Sequence, residues 1–271
     1  MRLRIELLDL MVNIVSFNIN GLRARLPRLL EFLEREKPDI VCLQELKGEP
    51  DALPTDQVEA AGYKALWHGQ KGFNGVAFLS RGDGDLKLRR AGLPDDPAPE
   101  QARYIEAEAH GLIVASIYLP NGNPVGSEKF GYKLEWMARL EQHAAALLAE
   151  ERPVVLAGDY NVIPEDRDTF SVKAMAHDAL MQPESRAALR RIVHQGWTDA
   201  LRQVHPDDDR LYTFWDYQAA AWPRDAGFRI DHFLLSPQAA DRLAGAGVHK
   251  WARGEEKASD HAPVWLQLHD A

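Results

Sequence analysis

Cysteine is nearly absent from this sequence, since Cys42 is the only one in 271 residues. Val41 and Leu43 flank it, and a lone cysteine in an apolar segment is typical of a buried side chain in a reducing compartment. A disulfide framework is excluded, because a disulfide within one chain needs two cysteines. We therefore expect a cytoplasmic protein.

Long uncharged apolar runs are also missing. No segment offers the roughly 20 apolar residues that a membrane-crossing helix needs, so we expect no membrane partner. Charges at Arg2, Arg4, Glu6 and Asp9 interrupt any apolar core of a signal peptide. We expect residues 1–11 to be an N-terminal extension that is either disordered or not translated, with Met11 as a candidate start, and residues 12–271 to form one domain.

Positive charge is in deficit. Lys and Arg number 32 against 41 Asp and Glu, which gives a net charge of -9. Taken as a sum, this excess of acid argues against a nucleic-acid partner. A net charge does not describe how charge is distributed, however, and a local basic face can coexist with it. Composition alone therefore leaves the partner open.

Short apolar runs with turn residues between them predict many strands. Residues 12–17, 40–43 and 154–156 are the clearest, because they are apolar and β-branched. Leucines at helical spacing predict a first helix after residue 22, and residues 129–150 predict a long amphipathic one. Further strands are predicted at 63–68, 75–80, 104–110, 112–118, 212–216, 229–235 and 264–268, a helix at 185–195, and loops at 90–101 and 167–182. Without repeats or linkers, this indicates an α+β sandwich of two sheets with helices outside.

One stretch near the middle organises the candidate site. Asp159 and Asn161 follow the predicted strand at 154–156, and alternation places both on one side if the strand continues that far. Gly158 removes a side chain where a ligand could approach closely. Asp and Asn are also common turn formers, so this stretch alone is equally consistent with a simple turn.

Other predicted strands end in polar groups as well. Each such residue taken singly is more often a turn, a solvated acid or a surface ion pair, and for Asp231 the partner of such a pair is Arg229. Repeated delivery of carboxylate, amide and imidazole at strand ends is nevertheless how a sandwich builds a site at one rim. The residues are Asn18, Asn20, Glu45, Tyr118, Asn121, Asp159, Asn161, Asp231, His232, Asp260 and His261.

The donors in this set favour a hard cation. Glu45, Asp159, Asp231 and Asp260 offer carboxylate oxygens, and no cysteine pair or histidine-rich spacing competes for zinc. Carboxylates with amides suit Mg²⁺ or Mn²⁺. A histidine beside acids, here His261, is suited to proton transfer or to stabilising charge near neutral pH. The combination predicts metal-assisted attack of water on a phosphate ester.

Eight motifs in order then carry a resemblance to a family. They are SFNINGLRA (16–24), LQELK (43–47), GQK with NGVA (69–71, 74–77), YLPNG (118–122), GDYN (158–161), YTFWDY (212–217), RID (229–231) and SDHAP (259–263). From about Val15 to its end the chain resembles the exonuclease III branch of the apurinic/apyrimidinic (AP) endonucleases, in the deoxyribonuclease I-like endonuclease/exonuclease/phosphatase superfamily. The resemblance implies a four-layer α/β-sandwich.

The resemblance also implies roles for single residues. Asp159 activates the attacking water and Asn161 holds it, while His261, oriented by Asp231, contacts the scissile phosphate. Tyr118 binds the same phosphate or assists the leaving group, with Asn121 beside it. The implied metal ligands are Glu45, Asn18, Asp260, Asp159 and Asn161. The implied cofactor is Mg²⁺, with Mn²⁺ as a substitute.

The implied substrate is double-stranded DNA with abasic sites or blocked 3′ ends, and the implied process is base excision repair. The protein is expected to be a monomer. An apolar pocket admits a flipped sugar that lacks a base, and Phe214, Phe228 and Ile230 match its positions. The substrate-binding set adds Asn20, Asn121, Trp215, Arg23 and Lys71. Arg25, Arg28, Lys129, Lys133 and Arg224 are further candidates for phosphate contacts.

Two alternatives remain beside this interpretation. A phosphoinositide-type phosphatase of the same superfamily shares the Asp159 and His261 sets. A non-catalytic DNA-binding module could keep the fold, although the polar set is complete here. The balance between AP endonuclease and 3′-end processing is open, and the least recognisable part is the loop at residues 166–183, which contains His177 and Gln182.

Overall fold

Two six-stranded β-sheets form the centre of the protein in a computed structural model that describes residues 11–82 and 85–270. In these ranges the strands are β1 (Met11–Asn18), β2 (Ile40–Gln44), β3 (Tyr63–His68), β4 (Val76–Arg81), β5 (Lys87–Ala91), β6 (Tyr104–Ala109), β7 (Leu112–Tyr118), β8 (Val154–Asp159), β9 (Thr198–Asp199), β10 (Asp231–Leu235), β11 (Leu243–Val248) and β12 (Val264–His269).

Strand order and direction agree with the predicted class. The first sheet has the order β11-β12-β1-β2-β4-β3 and the second β5-β6-β7-β8-β10-β9. Neighbouring strands are antiparallel except for the pairs β1 with β2 and β7 with β8, which are parallel. Two mostly antiparallel sheets are thereby confirmed.

Helices of several lengths connect the strands. They are α1 (Leu22–Glu36), α2 (Thr55–Ala60), α3 (Glu128–Leu148), α4 (Val172–Met175), α5 (Pro183–Val193), α6 (Ala200–Val204), α7 (Pro237–Ala240) and α8 (Lys250–Arg253), with 3₁₀ turns at Pro50–Ala52 and Asp166–Asp168. The long helices α1 and α3 lie close to the predicted positions. Among the described residues, no helix combines the length and the apolar character that crossing a membrane requires.

Three large apolar clusters define the layers. Ile14, Phe78, Val114 and Phe233 belong to a cluster between the facing sheets. A second cluster joins α1 to the first sheet, and a third joins α3 and α5 to the second. Burial of one face of each helix and both faces of each sheet gives the order helix, sheet, sheet, helix. The expected four-layer sandwich is confirmed.

Some local predictions were wrong. The predicted strand at 212–216 is not a strand, because Phe214 makes only isolated bridges to Phe228 and His261. The predicted strand at 229–235 begins two residues later, as β10. The segment 167–182, predicted as a loop, contains α4 and part of a 3₁₀ turn. Short turns held by capping side chains carry little periodicity that sequence could reveal.

The predicted N-terminal extension lies outside the described residues except for Met11. That residue pairs with His269 as the first residue of β1, so the first strand starts one residue earlier than predicted. Cys42 is buried and free, as its apolar neighbours indicated.

Candidate active site

Chain direction in the two sheets brings the polar strand ends to one rim. Asn18, the last residue of β1, pairs with Gln44, the last residue of the parallel strand β2. Tyr118 and Asp159 are the last paired residues of the parallel strands β7 and β8. Strand β10 runs antiparallel to β8 and begins with Asp231 opposite Asp159. Residues that are distant in sequence therefore meet where these strands end.

The side chain of Asn18 connects the two sheets at this rim. Its Nδ2 group donates to Oε1 of Glu45 at 2.8 Å and to Oδ2 of Asp159 at 2.9 Å. One amide group thus holds two carboxylates close together. Each of them, when ionised, can only accept hydrogen bonds. Asn18 was predicted only as a metal ligand near Glu45, and its contact with Asp159 was not predicted.

His261 lies between two aspartates. Its Nδ1 is 2.9 Å from Oδ2 of Asp231, and because an ionised carboxylate only accepts, Nδ1 is the donor. Its Nε2 then faces Oδ2 of Asp159 at 3.7 Å. Burial alone would lower the pKa of His261, but the charge and hydrogen bond of Asp231 and the charge of Asp159 outweigh it and raise this pKa to about 10. His261 is therefore a cation at neutral pH.

Asp159 is held in a form that can accept a proton. Burial is the largest influence and raises its pKa to about 7, helped by the charge of Asp231 and opposed by the charge of His261. The backbone N–H of Asn161 donates to its Oδ1 at 2.9 Å. Oδ1 of Asp231 is buried and has no hydrogen-bond partner among the described residues.

Lys47 links Glu45 to Asp260. Its ammonium lies 2.8 Å from Oε2 of Glu45 and also donates to Oδ1 of Asn20. Asn20 in turn donates to Oδ1 of Asp260 at 2.9 Å. Burial raises the pKa of Glu45, but the hydrogen bonds from Lys47 and Asn18 and the charge of Lys47 together outweigh burial. The pKa is therefore lowered, and this carboxylate stays ionised. The sequence alone predicted no role for Lys47, although Lys47 is the last residue of the LQELK motif at 43–47.

The arrangement can hold a metal ion. One carboxylate oxygen each from Glu45 and Asp159 and one ring nitrogen of His261 lie within 4.8 Å of one another. Because both nitrogens of cationic His261 carry protons, only the two carboxylates offer lone pairs to a metal. Two carboxylates with an unpartnered oxygen of Asp231 nearby fit a hard cation better than a soft one. Asn161 was predicted among the ligands, and its Oδ1 accepts from Nδ2 of Asn121 at 3.1 Å, which leaves one lone pair of that oxygen free. The donors brought together by the fold are thus centred on Glu45 and Asp159.

Asn161 reaches the site by a turn rather than by strand alternation. Strand β8 ends at Asp159, and Asn161 has a left-handed backbone with φ of 46°, which asparagine tolerates better than most residues. The condition for alternation, a strand that continues to Asn161, is therefore not met. Nδ2 of Asn161 donates to the backbone oxygen of Leu119 at 2.8 Å, which ties this turn to the segment after β7.

Lys133 supports the turn from below. Its side chain is completely buried, and Nζ donates to the backbone oxygens of Asn121 at 3.0 Å and Asn161 at 2.5 Å. Burial lowers the pKa of Lys133 to about 7. Lys133 was a candidate for a phosphate contact, and this prediction was wrong. The side chain lies on the buried face of α3 and binds backbone oxygens instead of solvent or substrate.

Gly158 serves the neighbouring strand instead of a ligand. A Cβ atom there would lie 2.0 Å from the backbone oxygen of Ile117 in β7, and φ is 156°. The expected close approach exists, but its partner is protein backbone. Any side chain at this position would separate β7 from β8 and move Asp159.

Tyr118 enters the rim as a neutral phenol. Burial raises its pKa well above the usual value, and the charges of Glu45 and Asp159 raise it further. The guanidinium of Arg103 lies 5.0 Å from the centre of its ring. A phenol that does not ionise remains a hydrogen-bond donor at every physiological pH.

The three predicted apolar pocket residues come together. Phe214 and Phe228 pack with the buried Ile230 in a cluster that also contains Met175 and Leu180 from the 166–183 loop. Phe214 lies edge-on to His261 with centroids 4.9 Å apart.

Trp215 is turned away from this cluster. Its side chain is fully buried, and Nε1 donates to Asp225 at 3.0 Å. The structure therefore does not bring Trp215 to the predicted substrate surface. Alternation along 214–215 sends neighbouring aromatic rings to opposite sides, and sequence alone did not show which ring faces the site.

The predicted basic contacts divide into two groups. Arg23 and Lys71 line a cleft of about 510 Å³ together with Lys47, the residue that pairs with Glu45. Other candidates are used within the protein. Arg25 donates to the backbone oxygen of Asn20, and Arg28 pairs with Glu31 at 2.8 Å.

Comparisons with known proteins agree with this geometry. A model of the endonuclease/exonuclease/phosphatase family matches residues 15–261. Exodeoxyribonuclease III of Haemophilus influenzae is 35% identical over 265 residues, which cover 94% of this chain and 98% of that protein. The DNA repair nuclease APEX1 of Danio rerio is 32% identical over 262 residues, which cover 95% and 82%.

Solved structures agree in fold over nearly the whole chain. An AP endonuclease from Archaeoglobus fulgidus has a TM-score of 0.89 at 34% identity and covers 96% of this chain and 100% of its own. The 3′ phosphatase NExo from Neisseria, solved with a product DNA hairpin, has a TM-score of 0.90 at 36% identity and covers 95% and 99%. The chain therefore belongs to the endonuclease/exonuclease/phosphatase family, in its exodeoxyribonuclease III and AP endonuclease branch.

Proposed function

We propose that this protein is a Mg²⁺-dependent hydrolase of DNA phosphodiester bonds, with Mn²⁺ as a substitute. It cuts on the 5′ side of abasic sites and/or removes 3′-blocking groups and nucleotides in the 3′→5′ direction from duplex DNA, in base excision repair. The observation that carries the proposal is the bridge from Asn18 to Glu45 and Asp159. Nε2 of His261, which Asp231 orients, lies 3.7 Å from Oδ2 of Asp159. The relatives named above act on DNA, which supports this substrate class.

The metal would be held by the carboxylates of Glu45 and Asp159, with Asp260 near them. When bound, it supplies a positive charge that polarises a phosphate oxygen and offsets the charge that develops in the transition state. Glu45 is suited to this place because the hydrogen bonds from Lys47 and Asn18 keep it ionised.

Proton transfer falls to Asp159. A general base works best when its pKa lies near the working pH, and in the metal-free protein burial raises the pKa of Asp159 to about 7. It takes a proton from the attacking water, while the N–H of Asn161 keeps Oδ1 fixed, so that Oδ2 remains on the side of Asn18 and His261.

Charge on the phosphate is met by His261 and Tyr118. Asp231 binds Nδ1 of His261, so the cationic ring presents Nε2–H in a fixed direction. The neutral phenol of Tyr118 can donate a hydrogen bond to a phosphate oxygen or to the leaving oxygen. Asn121, whose amide already contacts Asn161, borders the same space.

DNA is bound through a local basic face in spite of the net charge of -9. Arg23 and Lys71, in the cleft that Lys47 also lines, are its main members. The proposal includes a monomeric state and a cytoplasmic location. The single free cysteine supports the location. Affinity for duplex DNA should fall steeply with salt, because each phosphate contact releases bound counterions. A flat salt response would remove the basic face from the proposal.

The test compares four substrates with Mg²⁺ and with a chelator: a duplex with one abasic site, a 3′-phosphate end, an undamaged recessed 3′ end, and inositol phosphates. We expect chelator-sensitive turnover of the first three, and their relative rates define the preferred lesion. Turnover of inositol phosphates alone, or no metal-dependent hydrolysis of any DNA, would overturn the proposal.

A further inference from the structure

A row of stacked phenylalanine rings leads from His261 to the protein surface. Phe214, which touches His261, stacks on Phe228 with centroids 5.1 Å apart and an interplanar angle of 20°. Phe228 stacks on Phe170 at 5.9 Å and 28°. Phe170 is 40% exposed, so the row ends in solvent with an accessible aromatic surface. We call these three residues the aromatic row.

Phe170 is held firmly in place although it is exposed. Its backbone N–H donates to the oxygen of Gly227 at 3.0 Å, and the preceding residue, Thr169, forms a bridge with Phe228. The backbone N–H of Arg229 donates to the oxygen of Asp168 at 2.9 Å. The ring therefore stands on backbone that is paired on both sides, and its orientation is fixed before any ligand binds.

Core packing does not account for the exposed ring. The cluster beneath it contains Ile163, Leu180 and Ile230, all buried, with Phe214 and Phe228 packed against them. A single exposed hydrophobic side chain is ordinary. What distinguishes Phe170 is that its ring continues a stack that reaches the histidine of the active site.

We propose that Phe170 is a stacking platform for an unpaired nucleobase of the DNA substrate, an inference that rests on the proposed function. Bases inside a duplex are stacked on each other, whereas a base opposite a lesion or at a frayed end has a free face. Stacking on an aromatic ring accepts every base, which suits an enzyme that selects damage and ends instead of sequence. The platform keeps the strand near His261 without touching the reacting atoms.

Two variants separate the ring from its apolar bulk. Phe170→Leu keeps an apolar side chain without a ring, and Phe170→Trp keeps a ring. Leu88→Ala is the control, because Leu88 is 46% exposed on β5, the strand at the opposite edge of the sheet from β9 and β10. Each full-length protein is bound, in chelator, to an abasic-site duplex that carries 2-aminopurine at one position at a time around the lesion.

We expect the wild type and Phe170→Trp to change the fluorescence of 2-aminopurine at one or more unpaired positions, and Phe170→Leu to lose this change. Loss of one stack should raise the Kd of Phe170→Leu roughly tenfold. The single-turnover rate at saturating enzyme should stay within about twofold of wild type, since Phe170 positions DNA and does not act on the phosphate.

Wild-type signals and Kd in Phe170→Leu, with metal-dependent cleavage intact, would overturn the platform and leave the DNA hydrolase standing. Equal losses in Leu88→Ala would overturn it as well, because the effect would then be unspecific. A wild-type protein that neither binds nor cleaves these duplexes would instead refute the proposed function. Melting temperatures verify that each variant is folded.

Discussion

Two buried clusters of charged side chains lie on either side of Ile230, and they differ in how their charges are matched. On one side Arg229, 1% exposed, binds Asp168 at 2.8 Å and Asp199 at 2.7 Å. Arg202 adds a second cation at 2.7 Å from Asp168. On the other side, Asp231 and His261 face Asp159, and Oδ1 of Asp231 has no hydrogen-bond partner within the described ranges.

The pKa shifts follow this difference. In the Arg229 cluster, burial raises the pKa values of Asp168 and Asp199, but the charge and hydrogen bonds of Arg229, with smaller contributions from Arg202 and His232, together outweigh burial and lower both values. At the candidate active site, burial outweighs the favourable charge of His261 and raises the pKa of Asp159. A cluster in which every charge has a partner stabilises the contact between chain segments. A cluster that contains a carboxylate whose pKa lies near neutral pH can exchange a proton.

The largest expected effect tests the catalytic side. Asp159→Asn removes the proton acceptor while keeping its size, so kcat on an abasic duplex should fall roughly 1,000- to 10,000-fold. Binding of uncleaved duplex should stay within a few-fold of wild type. Single-turnover kinetics and a binding isotherm measure the two quantities, and a near-wild-type rate would remove Asp159 from its role as base.

The next effect tests the matched side. Arg229→Met leaves Asp168 and Asp199 buried without their shared cation, and the free energy of unfolding should fall by about 3 to 5 kcal/mol. Arg81→Met is the control, since Arg81 is 43% exposed where it pairs with Asp39, and it should cost under about 1 kcal/mol. Denaturant unfolding with chelator measures both. Equal small costs would mean that the Arg229 cluster adds no more than a surface pair.

A smaller effect is expected from the support of the rim. Lys133→Met leaves the backbone oxygens of Asn121 and Asn161 without their donor, so the turn that places Asn161 should shift. We expect kcat to fall roughly 10- to 100-fold, as for a misplacement of about 1 Å, with little change in KM. Lys87→Met, on the exposed strand β5, is the matched control and should keep wild-type kcat. A rise in KM alone would point to direct phosphate binding instead.

The smallest effect is a difference in pH dependence, measured as melting temperature in chelator. The folded pKa of Asp159 is raised from 3.8 to about 7, so its ionisation costs stability as pH rises through this window. Asp159→Asn should melt like wild type near about pH 4 and above it near about pH 8.

Asp168 is expected to behave in the opposite way. Its folded pKa is lowered below 3.8, so it contributes stability above that pH and loses it as pH falls through the folded value. Asp168→Asn should melt below wild type at neutral pH, with a difference that shrinks toward about pH 3. The same sign of shift in both variants would show that the two clusters do not differ.

Sequence patterns were sufficient for much of the fold. Apolar runs such as 154–156 and the amphipathic spacing in α3 depend on burial, which neighbouring residues record directly. They were insufficient at 212–216, because Phe214 makes bridges to two distant segments without joining a ladder. Whether an apolar segment becomes a strand there depends on partners that local sequence does not contain.

The candidate site was predicted as a set of residues and not as a network. Glu45, Asp159 and His261 were named from strand ends and from the resemblance, and the structure brings them within 4.8 Å. The places of Lys47, Lys133 and Trp215 were missed. A lysine in an amphipathic helix is normally exposed, so no local signal marked Lys133 as a buried support.

By itself the sequence determined the chemistry that is available: hard oxygen donors, one histidine among acids, and strands that end in them. Only the tertiary structure decided which charges are matched. Arg229 and Asp231 are two residues apart, yet one is neutralised by Asp168 and Asp199 and the other orients His261. The physical reason is that the energy of a buried charge depends on its partners across the fold, and Asn18 meets Asp159 across 141 residues only because two sheets pack face to face.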